Sequence, residues 1–252
     1  MRTRQPLAVT TYPSVGPCED VGESEQPPVL LVHGFCSDAR RSWLETGMVT
    51  ALIDAGRTVI APDLRGHGAS PAPTSGDEAD ANTTVDDLLA VLDAYGAERV
   101  DIIAYSLGAR LIWALAERAP ERVGRVAFGG MSPVEPFAAV DVAELRRVVR
   151  GEATTADPLT GMIAGLIRAE GDRADGLVTC VEGLRSTPFE PTPWAGHTPP
   201  WFVVGTDDPM TRDIDALVAA AAGSRMVVVT GDHHGVLVSP NFQGLAVSVV
   251  GR

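Results

Sequence analysis

A chain of 252 residues, 45 % hydrophobic and with a net charge of −13, is long enough to bury one substantial core. The acidic balance excludes a nucleic-acid partner, since phosphate binding needs clustered Lys and Arg. No apolar run reaches the length of a membrane span, and residues 1–6 hold two arginines with no apolar stretch behind them, so a cytoplasmic protein is expected. Three cysteines, Cys18, Cys36 and Cys180, leave an odd number without metal-like spacing and read as free thiols, with no metal and no cofactor implied.

The first elements are a strand at 7–12, a Pro- and acid-rich loop at 13–27, and an apolar strand from residue 28 that ends in His33-Gly34-Phe35. A flexible turn there can aim a backbone N–H at a reaction centre, and Phe35 is the expected oxyanion donor. His33 is expected to hold the turn by hydrogen bonds. A helix over 42–55 and a buried strand over 58–63 follow, the latter opening into Leu64-Arg65-Gly66-His67-Gly68-Ala69-Ser70. The Pro- and Ser-rich run 71–81 reads as a mobile surface loop. A helix is expected at 84–95, capped by Thr84 with Asp87 three residues on and stopped by Gly96.

Residues 100–105 form an apolar strand that runs straight into Ser106 and a helix at 107–119, apolar almost all round. A sharp strand-to-helix turn would lift the Ser106 hydroxyl above the strand ends, and the small residues Ala104 and Gly108 would let the two backbones approach. Ala-x-Ser-x-Gly alone also fits a serine capping a helix. The N–H of Leu107 is the expected second oxyanion donor.

His-Gly-Phe, Asp63-Leu-Arg-Gly-His-Gly-x-Ser70 and the serine turn, in this order and spacing, closely resemble the α/β-hydrolase family, from about residue 28 to the C-terminus. The chain is similar to the bacterial esterase, enol-lactonase and cofactor-free perhydrolase branch. The resemblance implies a mainly parallel central sheet with helices on both faces, and a triad in the order Ser, acid, His. Two carboxylates, Asp207 and Asp208, compete after the strand starting at residue 200, and the family's Gly-x-x-Asp spacing selects Asp208. The alternative acid position after the strand 123–129 holds Gly130, Met131 and Ser132, none of them acidic. Of the adjacent histidines after the strand 226–230, the resemblance implies His233 as the base, because family members commonly carry a proline seven residues after it and Pro240 stands there. His234 is then a loop or pocket residue. A serine nucleophile separates the chain from the dehalogenase and epoxide-hydrolase branches, which attack through a carboxylate.

Further helices are expected at 211–222 and 240–250. Between residues 131 and 199 three helical patterns occur with no strand, where the family inserts a lid. The expected organisation is a hydrolase core at 1–130 and 200–252 with a small helical cap at 131–199. Met131, Phe137, Met162, Leu166, Phe189 and Trp194 are the candidate pocket walls. The expected function is cleavage of a small, uncharged ester or lactone through an acyl-enzyme on Ser106. Its rivals are perhydrolysis, C–C hydrolysis or a lyase reaction on the same triad, and a non-catalytic binding protein on the same scaffold.

Overall fold

The structure, a computed structural model, describes residues 4–14 and 26–251; Cys18 and the middle of the 13–27 loop lie outside them. Its strands are β1 (Val9–Tyr12), β2 (Val29–Val32), β3 (Val59–Pro62), β4 (Val100–Tyr105), β5 (Val123–Gly129), β6 (Trp201–Gly205) and β7 (Arg225–Val229). Its α-helices are α1 (Met48–Asp54), α2 (Ala81–Ala94), α3 (Leu107–Arg118), α4 (Val142–Val149), α5 (Pro158–Ala169), α6 (Ala174–Ser186), α7 (Asp215–Ala220), α8 (His233–Leu237) and α9 (Pro240–Val250). The strands form one sheet in the order β1-β3-β2-β4-β5-β6-β7. Only the pairing of β1 with β3 is antiparallel.

Every residue of β2 and β4 is buried. A parallel strand covered on both faces has no solvent side, so its sequence runs apolar instead of alternating. The period of two survives in where the side chains point. Leu30, Val32, Ile102 and Ala104 enter one core with α2 and α3, while Val29, Leu31, Ile103 and Tyr105 enter the other with α1 and α9. Asp101, inside β4, is matched by Arg57 at 2.8 Å and by the Arg125 N–H at 2.7 Å.

Several boundaries differ from the sequence reading. The helix expected over 42–55 splits into a π-helical turn, Arg40–Leu44, and α1, because Gly47 between them adopts φ +82°. Helix α2 starts earlier than expected: Asp80 is its cap and accepts from the Thr83 N–H at 2.7 Å, while Asp87 pairs with Arg65 at 2.8 Å. The run 71–81 is fastened rather than loose. Gly66 N–H bonds Pro71 O at 2.9 Å, and a Cβ on Gly183 of α6 would sit 2.4 Å from Gly76 O. Helix α7 covers only Asp215–Ala220, after a 3₁₀ turn at Pro209–Thr211. Between β5 and β6 the chain is helical, with α4, α5 and α6 packed on one another.

A buried guanidinium fixes this helical segment to the sheet. Arg110 of α3 meets Glu135 at 2.5 Å, near the start of the insertion. It also donates to Leu184 O at 3.1 Å and to Thr187 O at the far end of α6. Burial pushes the Glu135 carboxyl up and holds the Arg110 guanidinium down, each opposed by the other's charge.

Helix α3 leans directly on β2. A Cβ on Gly108 would lie 2.2 Å from Val32 O and 2.7 Å from His33 O, both rigid backbone atoms. Gly108→Ala must therefore part helix and strand, and a loss of about 3 kcal/mol in urea unfolding is expected; unchanged stability would show that the contact is not the tight one described.

Candidate active site

Ser106 follows the last residue of β4 and precedes the first of α3, with φ +53° and ψ −117°. This region is costly for a residue with a Cβ and is held only where the surroundings impose it. Here the Ser106 N–H bonds Gly129 O at 2.9 Å. On the other side, a Cβ on Gly34 would come within 3.2 Å of the Ser106 Cβ, so glycine there lets the β2 turn approach the serine closely.

That turn carries a second strained residue, Cys36, at φ +53°. Just before it, the Phe35 N–H donates to no other acceptor among the described residues. Leu107 opens α3, so its N–H has no carbonyl one turn back to bond. Leu107 directly follows Ser106, and Phe35 directly follows Gly34, where a Cβ would meet the Ser106 side chain.

Asp208 follows β6 and is 6 % exposed. One carboxylate oxygen accepts from the Met210 N–H at 2.9 Å, and the other lies 2.8 Å from His233 Nδ1. Asp207 is exposed and bonds the Thr206 hydroxyl at 2.9 Å; His234 is exposed in the first turn of α8. A carboxylate only accepts, so Nδ1 of His233 carries the proton and Nε2 is left basic. Asp232 caps α8, accepting from the Gly235 N–H at 2.7 Å. The imidazole reaches the residue next to the one that anchors Ser106: a Cβ on Gly130 would sit 2.8 Å from His233 Cε1.

Of the candidate pocket walls, two adjoin this constellation. Phe137 is buried and packs edge-on against Phe35, ring centroids 5.0 Å apart; Met131 is buried directly after Gly130. The other four lie elsewhere. Met162 and Leu166 face outward from α5, 55 % and 49 % exposed, because the buried stripe of that helix is Thr160, Ile163, Ala164 and Ile167. Trp194 and Phe189 pack on Trp113, at 5.1 and 6.2 Å between rings, and Trp113 is about 10 Å down α3 from Ser106 at 1.5 Å per residue. They seal the insertion's return against the sheet. A shallow groove of about 620 Å³ between α4 and α6, lined by Arg146, Glu182 and Arg185 among others, contains none of the triad candidates.

Arg110, Glu135 and Tyr105 were not read from the sequence as parts of this region. The available signal for Arg110 was a charge four residues after Ser106, inside an otherwise apolar stretch from Leu107 to Ala116.

A strained serine between a strand and a helix, with a His–Asp pair on later strand ends, is the arrangement of the α/β hydrolases as a class. The family model described as "alpha/beta hydrolase fold" matches residues 27–157, and the chain belongs to that family. It is similar to Epoxide hydrolase A of Mycobacterium tuberculosis, 37 % identical over 108 residues, 43 % of this chain and 33 % of that protein. It is also similar to 2-hydroxymuconate semialdehyde hydrolase of a Pseudomonas species, 34 % identical over 107 residues, 42 % of this chain and 37 % of that one. The matches thus span about a third of these relatives' length. In fold it is similar to the enol-lactonase from Burkholderia xenovorans, TM-score 0.72 at 21 % identity, covering 98 % of this chain and all of that one. Among the described residues no helix is long and apolar enough to cross a membrane.

Two other histidines support the β2 turn. His33 is fully buried; its Nδ1 donates to Gly34 O at 2.8 Å and its Nε2 accepts from the Leu64 N–H at 3.0 Å. His67 donates to Arg65 O at 3.0 Å and stacks edge-on with Phe35. Its Nε2 is buried without a partner among the described residues. Burial holds both rings neutral, pulling His33 down to about 4 and His67 to about 3. Above pH 6.5 both are neutral in folded and unfolded chains alike. As pH falls below that, only the unfolded chain binds the protons, so stability drops by up to about 1.4 kcal/mol per pH unit for each histidine. Urea midpoints measured from pH 7 to 4.5 should fall accordingly, and His67→Gln should flatten the slope; an equally steep slope in the variant would rule out this linkage.

Proposed function

We propose that this α/β-fold hydrolase is a serine enzyme that cleaves an uncharged carboxylic ester or lactone through an acyl-enzyme on Ser106. The observation that carries the reading is the 2.8 Å contact of Asp208 with His233 Nδ1, which leaves Nε2 to serve a strained, partly exposed serine. His233 takes the Ser106 proton as Oγ attacks the carbonyl carbon. The resulting oxyanion accepts from the Phe35 and Leu107 N–H groups, each worth about 3 kcal/mol in the transition state. Collapse breaks the ester C–O bond, and the leaving alkoxide takes the proton from His233. Water, deprotonated by the same imidazole, then frees the acid and restores Ser106. Asp208 stabilises the imidazolium in both halves.

Supporting an uncharged substrate, the neighbouring cations are already committed. Arg110 pairs with Glu135, and Arg41 holds Glu170 through two bonds of 2.8 and 2.9 Å and Asp38 at 2.7 Å. Neither is left over for a substrate carboxylate. Residues 131–199 act as a cap in this reading, with Met131 and Phe137 as the walls next to the acyl group. Epoxide opening, the activity named for one relative, is disfavoured by a serine in place of a carboxylate nucleophile.

Intact-mass analysis after fluorophosphonate treatment tests the reading. One adduct is expected on the wild-type chain and none on Ser106→Ala. His233→Ala should slow labelling by roughly 100-fold or more, with Asp208→Asn also slow and His234→Ala close to wild type. No adduct on a folded wild-type chain would favour the binding-protein alternative instead.

A further inference from the structure

We propose that Tyr105 is a positioning residue, setting the histidine loop against the nucleophile through its phenol; this rests on Ser106 and His233 being nucleophile and base. Tyr105 ends β4, one peptide bond before Ser106, and is 2 % exposed. Its hydroxyl donates to the His233 carbonyl at 2.6 Å, across 128 residues of chain. Its ring lies 5.3 Å from the imidazole and 5.4 Å from the ring of Phe242 in α9.

The room for this arrangement is made by two glycines. A Cβ on Gly129 would press to 2.5 Å on the Tyr105 ring, and one on Gly130 would strike both Tyr105 Cε1 and His233 Cε1 at 2.8 Å. Burial pushes the phenol well above its ordinary range, so it stays protonated and a donor wherever the enzyme is folded.

The mechanical consequence concerns how many points fix the base. Asp208 holds His233 by its side chain only, and a single contact leaves the imidazole free to swing about the Nδ1···Oδ2 line. The bond from Tyr105 grips the same residue by its backbone. With the α8 turn that begins at His233, these two anchors on opposite ends of the residue restrict where Nε2 can lie. Because the second anchor is covalently adjacent to Ser106, the base is referenced to the nucleophile itself rather than to a distant part of the fold.

Tyr105→Phe removes the donor and keeps the ring. It should slow fluorophosphonate labelling of Ser106 by roughly tenfold, and lower kcat for 4-nitrophenyl acetate similarly while KM stays within about twofold. The thermal midpoint should stay near wild type. 4-Aminophenylalanine at position 105, which restores a donor, should recover most of the rate. Phe242→Leu is the packing control: it loosens the same ring without touching the bond, and should lower the thermal midpoint while labelling stays near wild type. Labelling of Tyr105→Phe at the wild-type rate would overturn the proposal. So would equal slowing in Phe242→Leu, or no recovery with the amino side chain. A wild-type chain that forms no adduct would remove the reading of Ser106, and this role with it, whereas a labelled wild type matched by Tyr105→Phe removes this role alone.

Discussion

How closely helix α3 can press against strand β2 decides the rest of this molecule. With hydrogen as its side chain, Gly108 lets the first turn of α3 approach to where a Cβ would be 2.2 Å from Val32 O. That approach forces the chain to reverse within one residue, and Ser106 takes up the reversal at φ +53°. A non-glycine residue held there costs about 1–3 kcal/mol, which the buried parallel strands and the apolar helix on either side offset. The same closeness puts the β2 turn beside the serine, with Cys36 strained in turn. Ser106 and the β2 turn are neighbours because two backbones are nearly touching.

The inner strands β2 to β6 were legible because each is a short, mostly apolar run that ends at a turn, the pattern that burial on both faces produces; the edge strands β1 and β7 are largely uncovered. Order and spacing of motifs picked Asp208 and His233 from pairs that composition cannot separate, and the structure joins those two to each other while Asp207 and His234 face solvent. Pocket walls were less legible. Met162 and Leu166 share a helix face, but periodicity reports which residues lie together, not which face turns inward. Phe189 and Trp194 were drawn away from the site by a larger aromatic cluster around Trp113. Thr84 and Asp87 had the spacing of a helix cap, yet Asp87 is taken by Arg65 and the helix begins at Asp80, one turn earlier.

Buried charge was the least legible feature, since an arginine in the core and one on the surface read alike. In this acidic chain Arg57, Arg65 and Arg110 each reach inward to a carboxylate, and all three also donate to backbone carbonyls. Buried pairs of this kind are weak sources of net stability, because desolvation consumes most of the attraction. Their effect is geometric: a planar fork satisfied in only one arrangement selects that arrangement among many of similar burial.

Arg110 gives this a consequence for how such a chain can diverge. Its guanidinium receives the insertion at both ends, Glu135 at the entrance and the carbonyls of Leu184 and Thr187 at the exit. Between those points the polar ties to the core are Glu170 with Arg41 and the Cys180 thiol with Arg65 O; the remaining contact is by shape and apolar surface, which tolerates replacement as long as volume is kept. The insertion is therefore an exchangeable part on a keyed socket. A foreign helical segment grafted here could differ over most of its length, but to seat as this one does it would have to present a buried carboxylate and two carbonyls to Arg110 and a second carboxylate to Arg41.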